Sequence, residues 1–144
     1  MKRTLITLAL ALASISIVTA DDKPVTFNQL PQAAQTFINT NYPDEKVAFA
    51  TVDDDFISPD YHVALVNGVM LQFEHNGSLE KIETRNGNIP AGIIPFQIAD
   101  IVKQYYPEAN ILEYEVGKRS YEVKLSNRME MKFNTKFQVI ELDD

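Results

Sequence analysis

The sequence predicts an α+β fold, in which a tandem α-β4 repeat forms a single antiparallel sheet of about eight strands with the helices on one face. Three observations predict it: the chain repeats itself, each copy begins with a helix-like segment bounded by prolines, and four strand-like runs follow each segment. The 144 residues are 45% hydrophobic and 23% charged, which is typical of one globular domain. One repeat alone would have a marginal core, so we expect the two to share one.

Each copy opens with a predicted helix. Its two ends recur 64 residues apart: Leu30-Pro31 and Tyr42-Pro43 in copy one, Ile94-Pro95 and Tyr106-Pro107 in copy two. Proline suits the first helical turn, and a later proline ends the helix because it disfavours the α conformation in the residue before it. Apolar residues at helical spacing predict one buried stripe per helix: Leu30, Ala34, Phe37 and Ile38, then Ile94, Ile98, Ile101, Val102 and Tyr105.

Four predicted strands follow each helix. They cover residues 47–52, 61–66, 69–74 and 78–84 in copy one, and 111–116, 121–126, 129–134 and 137–142 in copy two. From the second strand onward the copies are 60 residues apart, because loop 53–60 is four residues longer than its counterpart at 117–120. Asn67-Gly68 and Asn76-Gly77 predict type I′ hairpin turns, which need φ > 0 at both positions.

The first 20 residues are predicted to be a signal peptide. Lys2 and Arg3 precede 15 uncharged residues rich in Leu, Ala and Ile, fewer than the ~20 that span a bilayer. Small residues lead up to Ala20, after which we expect cleavage. Residues 21–144 would then form one domain from repeat one (28–85) and repeat two (92–144), periplasmic or secreted and without a stable membrane anchor.

Composition excludes several function classes. A net charge of −7 disfavours nucleic acid and anionic membranes as partners. The absence of Cys excludes disulfides, thiol catalysis and Cys-ligated metals. His62 and His75 have no partner at metal-site or catalytic spacing, and nothing selects an acid and base pair among the many carboxylates. We therefore predict no catalytic residue, no metal site and no cofactor, and a protein that is not an enzyme.

The densest carboxylate cluster is loop 53–60, with Asp53, Asp54, Asp55 and Asp60. Hard cations such as calcium favour several carboxylate oxygens. The EF-hand pattern is absent, since neither Gly at the sixth position nor Glu at the twelfth follows Asp53. A solvated acidic loop and a cation site both remain open. One alternative for the whole protein is a small-ligand or cation-binding envelope protein that uses this loop and the concave sheet.

The repeated motifs resemble those of a known family. Behind a signal peptide, a Tyr-x-Val-x-Leu-x-Asn motif begins at Tyr61 and again at Tyr121, each after a proline-bounded helix. This arrangement is similar to the PepSY-like exported proteins of Gram-negative bacteria, which share the fold of the β-lactamase inhibitory protein. The resemblance covers residues 28–144 and implies a sheet whose face away from the helices is open to solvent. In the inhibitor, that face grips an enzyme. For the wider PepSY group the resemblance implies proteins that restrain peptidases or sense envelope conditions, and it implies no catalytic residues.

The duplication exposes a difference between the predicted outer faces. Copy two carries a charged and solvated set: Glu113, Glu115, Glu122, Lys124, Arg128, Glu130 and Lys132. Copy one carries almost no charge at the matching positions, and its candidate binding residues are Phe49, Thr51, His62, Ala64, Val66, Met70 and Gln72. Charge depletion with aromatic and Met enrichment is typical of an interface core. We predict that this face binds a protein or peptide in the cell envelope, or a second copy of the chain. The alternative is that residues 21–27 or the acidic loop cover it.

Overall fold

The sheet runs through the protein in the order of the sequence, each strand pairing antiparallel with the next. The computed structural model describes residues 22–53 and 57–144, and in that part of the chain nine strands form one sheet. They are β1 (Asp22–Pro24), β2 (Val47–Asp53), β3 (Asp60–Leu65), β4 (Met70–Phe73), β5 (Leu79–Glu83), β6 (Ile111–Val116), β7 (Ser120–Leu125), β8 (Glu130–Asn134) and β9 (Val139–Asp143). The predicted signal peptide and its cleavage site lie outside the described residues.

Two helices match the predicted positions. α1 (Gln32–Asn41) precedes β2, and α2 (Phe96–Tyr105) precedes β6, 64 residues later at both ends. Strands β3 to β5 recur as β7 to β9 at the spacing of 60. The predicted α+β fold and its repeat are confirmed, and the strand ends lie within two residues of the prediction. Among the described residues, no helix is long and apolar enough to cross a membrane.

Strand β1 is the element that the sequence does not predict. It is three residues long and contains Pro24, so it shows no alternating pattern. It pairs with the outer edge of β2, from Asp22 opposite Asp53 to Pro24 opposite Thr51. The sheet therefore has nine strands rather than eight.

The core lies between the helices and one face of the sheet, and the two copies contribute matched side chains. The buried pairs are Ala34 and Ile98, Ile38 and Val102, Ala50 and Tyr114, Val63 and Val123, Leu65 and Leu125, Leu71 and Met131, and Phe73 and Phe133. Phe37 of α1 packs edge-on against Phe73, with 5.5 Å between the ring centroids. Tyr105 departs from the predicted buried stripe, because it is at the last position of α2 and is 50% exposed.

The hairpin turns differ from the predicted type I′ geometry. Gly68 and Gly77 have φ of +91° and +86°, but neither Asn67 nor Asn76 has a positive φ. Each Asn instead accepts a hydrogen bond through its side-chain oxygen from the amide two residues later. Only the Gly needs the left-handed conformation, which fits a type I turn followed by a bulge rather than type I′.

Copy two adopts the same turns without glycine. Arg128 and Phe137 have φ of 72° and 61° at the positions of the two glycines. The predicted strand at 137–142 consequently begins two residues later, at Val139. The ring of Phe137 stacks on Tyr121 with 5.4 Å between centroids, and this contact supports a side chain at a position that otherwise favours glycine.

Candidate functional site

The cross-strand register arranges the side chains of the open face, the face away from the helices, in two rows. One row contains Phe49, Ala64, Met70, Glu83, Glu113, Lys124, Glu130 and Asp143. The other contains Thr51, His62, Gln72, Lys81, Glu115, Glu122, Lys132 and Glu141. Both rows become charged at β5, the last strand of copy one. The predicted contrast between the copies is therefore a boundary within one continuous surface.

The copy-one end of the first row is an exposed apolar patch. Phe49 is 56% exposed, Val66 65% and Met70 38%. Ala64 lies between Phe49 and Met70 in the register, yet it is only 5% exposed because its larger neighbours flank it. The cross-strand register places Ala64 on the open face, as predicted, but its side chain forms the floor of the patch rather than its surface.

A depression of about 460 Å³ lies over this patch. Phe49, Val66 and Met70 line it together with the floor residue Ala64. Its rim is completed by residues from the turn after β3 and the end of β5, among them Gly68, Glu83 and Arg85. A Cβ at Gly68 would stand 3.3 Å from Nε of Arg85, so the glycine leaves room for the guanidinium at the rim.

Thr51, His62 and Gln72 form a polar flank beside the depression. All three are half-buried and adjacent in the second row. The side-chain amide of Gln72 donates a hydrogen bond to Glu80 at 3.1 Å. The structure therefore brings all seven predicted residues to one region, with an apolar hollow and a polar flank.

From β5 onward and into copy two, the same face is covered by ion pairs. Lys81 lies 2.9 Å from Glu113 and 3.2 Å from Glu83, and Lys124 lies 3.6 Å from Glu113 and 3.6 Å from Glu130. Burial acts against the charge of Lys81, but hydrogen bonds to Glu113 and Glu83 outweigh it and raise the pKa of the ammonium group. The prediction of a charged and solvated set is wrong for Glu113, whose side chain is only 13% exposed.

The acidic loop is only partly described, since residues 54–56 lie outside the described chain. Asp53 and Asp60 pair opposite each other where the loop leaves β2 and enters β3. Burial, followed by the negative charges of Asp60 and Glu74, raises the pKa of the nearby Glu80 carboxyl. Within 22–53 and 57–144, no group of three or more His, Asp or Glu side chains is placed to hold a metal ion.

The N-terminal residues lie along an edge of the sheet and not across the patch. Beyond β1, the amide of Val25 donates to the carbonyl of Ala50 at 2.9 Å, and Val25 and Phe27 then pack against the core. The alternative that this segment covers the open face is therefore wrong for residues 22–27. The patch on copy one is left exposed by this segment.

Arg85 is a rim residue that the sequence comparison misses. The prediction compares strand positions of the two copies, and Arg85 lies just after the last strand of copy one, β5, outside the predicted strand rows. No ion pair joins Arg85 to another described residue, so its charge is available at the rim of the depression.

Comparison with known proteins identifies the family. The sequence matches the family described as "Putative beta-lactamase-inhibitor-like, PepSY-like" over residues 16–58 and 59–141. The chain belongs to the PepSY-like family. No curated protein matches the sequence.

Three solved structures resemble this PepSY-like chain. A "putative periplasmic protein" of the DUF2874 family from Bacteroides vulgatus is 42% identical, with a TM-score of 0.82 over 88% of this chain and 100% of that one. A "putative calcium-regulated periplasmic protein" from Bacteroides thetaiotaomicron is also 42% identical, with a TM-score of 0.82 over 86% and 98%. A "putative periplasmic protein of unknown function" from Bacteroides vulgatus is 29% identical, with a TM-score of 0.80 over 85% of this chain and 99% of that one. The predicted location, periplasmic or secreted, is confirmed.

Proposed function

We propose that this PepSY-like protein is a non-enzymatic binding protein that engages a protein or peptide of the cell envelope through the open face of copy one, as an inhibitor or a sensor. The observation that carries the proposal is the depression around Phe49, Val66 and Met70, which has charged side chains only at its rim and lies next to a face of ion pairs that begins at β5. Apolar side chains exposed together on a soluble protein commonly mark an interaction site.

The site has the composition of an interface core. Full burial of a Val, Met or Phe side chain contributes about 1.5–3 kcal/mol, so covering these three would supply a large part of a binding free energy. Arg85 adds a guanidinium at the rim, where it can hold a carboxylate in a charge-assisted hydrogen bond. The partner that fits best presents an apolar side chain with an acidic group beside it.

The titratable groups support a non-enzymatic role. Burial, and to a smaller extent the interaction with Tyr121, raises the pKa of Tyr114 to about 12. Burial also raises the pKa of Tyr42. Both side chains are buried in the core rather than in a cleft. Catalytic groups with shifted pKa values usually line an accessible pocket. Among the described lining residues of the depression over copy one, Glu83 has a shifted pKa: burial raises it, but hydrogen bonds to Lys81 and Glu113 outweigh burial and lower it. Its carboxylate is therefore held in an ion pair with Lys81 rather than poised as an acid or base.

A cation-binding role is the second candidate. It is supported by the relative described as calcium-regulated and by the four aspartates that the sequence concentrates in loop 53–60. Bound calcium would stabilise the folded state by mass action. Calcium is expected to raise the melting temperature of the natural protein and to leave that of the variant Asp53→Asn/Asp60→Asn unchanged. An unchanged melting temperature in the natural protein would contradict this role.

The binding proposal is tested with a pair of matched variants. Phe49→Glu/Met70→Glu places two carboxylates in the patch, whereas Thr40→Glu/Gln104→Glu adds the same charge to exposed helix positions. After chemical cross-linking in the native envelope, the natural protein and the helix variant are expected to capture the same partner, and the patch variant to lose it. Thermal melting of each purified variant establishes that it is folded.

An uncharged variant separates the loss of the patch from the effect of charge. Phe49→Ser/Met70→Gln removes the apolar surface without placing a carboxylate opposite Glu83. Loss of the partner in both patch variants supports the proposal. Retention of every captured partner by folded patch variants would contradict it.

A further inference from the structure

The last strand of the sheet, β9, is an open edge with exposed apolar side chains. Within residues 22–53 and 57–144, β9 pairs with β8 alone. Ile140 is 55% exposed and Leu142 45%, and the strand contains neither Gly nor Pro. Soluble proteins usually block such an edge, because its free backbone groups can pair with another chain. The opposite edge is formed by β1, which is short and contains Pro24.

The repeat shows the same strand in a covered state. β5 is the copy-one counterpart of β9, and β6 pairs along it. Tyr114 of β6 lies opposite Ile82, which is fully buried. Leu142 takes the position of Ile82 in copy two, but no described strand lies beside it. β9 therefore keeps an apolar position that an added strand would bury.

The repeat also indicates which backbone groups face the open edge. The amide of Thr84 donates to the carbonyl of Leu112 across the boundary between β5 and β6, at 2.7 Å. Alternate residues of a strand direct their backbone groups to the same side, so the amide of Ile82 also faces β6. Its counterpart Leu142 consequently directs its N–H to the open edge of β9.

Charge defines the kind of strand that fits. Glu141 and Asp143 lie on the open face on either side of Leu142 along β9, whereas Leu142 lies on the helix-side face, opposite the buried Met131. Lys132 reaches Glu141 only at 4.0 Å, and Asp143 lies opposite the carboxylate of Glu130. We propose that β9 binds an extended segment of another protein as an antiparallel tenth strand, with a large apolar side chain opposite Leu142 and Lys or Arg at the two flanking positions.

A second copy of the chain fits this edge poorly. Two β9 strands paired antiparallel would bring the carboxylates of Glu141 and Asp143 against those of the other copy, and like charges across strands are destabilising. Pairing β9 with β2 of another copy, on the pattern of β5 with β6, would place Glu141 opposite Thr51. The edge of β2 is already paired there, with Pro24 opposite Thr51. A different protein is therefore the occupant.

The test uses residues 21–144 and two eight-residue peptides copied from 110–117, the segment that covers β5. One peptide has the natural sequence and the other carries Glu113→Lys and Glu115→Lys. In an NMR titration, the lysine peptide is expected to bind roughly tenfold more tightly, because two opposite-charge pairs replace two repulsive ones. New protection of amides from hydrogen exchange is expected in β9 and in no other strand.

Three variants locate the binding. Leu142→Pro removes the outward N–H, a change that edge strands tolerate, and is expected to weaken lysine-peptide binding at least tenfold, roughly the effect of a lost backbone hydrogen bond and its contacts. Leu142→Ala keeps the N–H and is expected to weaken binding of the lysine peptide less than Leu142→Pro does. Glu141→Lys/Asp143→Lys is expected to reverse the preference in favour of the natural peptide. Thermal melting confirms that each variant is folded.

Three results would overturn the proposal. They are equal binding of the two peptides by the natural protein, unchanged preference in Glu141→Lys/Asp143→Lys, and dimerisation through β9 in place of peptide binding. The charge-reversed variant decides the question even if Leu142→Pro fails to fold, because it leaves the backbone of β9 unchanged.

Discussion

Copy one and copy two have the same backbone arrangement and different outer surfaces. Most of their core positions match in pairs, as with Phe73 and Phe133, because both copies must fill the space between a helix and the sheet. On the open face, packing imposes no such requirement. There, Met70 in copy one corresponds to Glu130 in copy two, and the apolar patch gives way to ion pairs. The two copies therefore differ where packing leaves the side chains free to vary, on the face that we propose binds a partner.

The largest difference in stability between equivalent positions of the two copies is expected in the core. Ile82 is fully buried, whereas its counterpart Leu142 is 45% exposed at an edge. Ile82→Ala should lower the free energy of unfolding by about 3 kcal/mol or more, and Leu142→Ala by less than about 1 kcal/mol. Urea denaturation of both variants measures the difference. Equal losses of unfolding free energy in the two variants would contradict the difference in burial between Ile82 and Leu142.

The ion pairs of copy two give the next largest effect. Lys81→Met leaves the buried carboxylate of Glu113 without its nearest cation, and should lower the free energy of unfolding by about 1–2 kcal/mol at neutral pH. Burial raises the pKa of Glu113, so the loss should shrink as acid neutralises this carboxyl. Denaturation across a pH series measures it. Lys132→Met, whose partner is 4.0 Å away, is the control and should cost under about 0.5 kcal/mol.

The smallest effect is expected at Glu80. Burial and the nearby carboxylates raise its pKa above the ordinary 4.5. The folded state then binds this proton more tightly than the unfolded state, so the contribution of Glu80 to stability falls as the pH rises above 4.5. Glu80→Gln should raise stability at pH 7 by less than about 1 kcal/mol, since solvent screens the group. Melting temperatures from pH 3 to pH 7 test this, and a destabilised variant at pH 7 would contradict it.

The sequence predicts the fold well because the repeat consists of local features, such as prolines and alternating apolar residues, that determine secondary structure directly. Prolines mark both ends of each helix, and alternation marks most strands, so α1, α2 and the order of the strands follow. β1 escapes prediction because three residues carry no periodicity. The turn geometry escapes it because Asn-Gly suits more than one hairpin, and the register of the strands decides which one forms.

The candidate site could be predicted in its membership but not in its shape. Alternation places Phe49, Ala64 and Met70 on one face, and the register then aligns them. The shape depends on the sizes of neighbouring side chains in three dimensions. These sizes make Ala64 the floor of the depression and allow Arg85 to reach its rim. The burial of Glu113 likewise follows from cross-strand contacts that a single strand does not contain.

The most direct measurement compares equivalent positions of the two copies on the open face. A photo-crosslinking residue is introduced in place of Met70 or in place of Glu130, two side chains that are each about 40% exposed. In the native envelope, position 70 should form a discrete adduct with a partner, position 130 should not, and adding Phe49→Glu should abolish the adduct at position 70. Adducts of equal yield at both positions, or at position 130 alone, would contradict the assignment of binding to the open face of copy one.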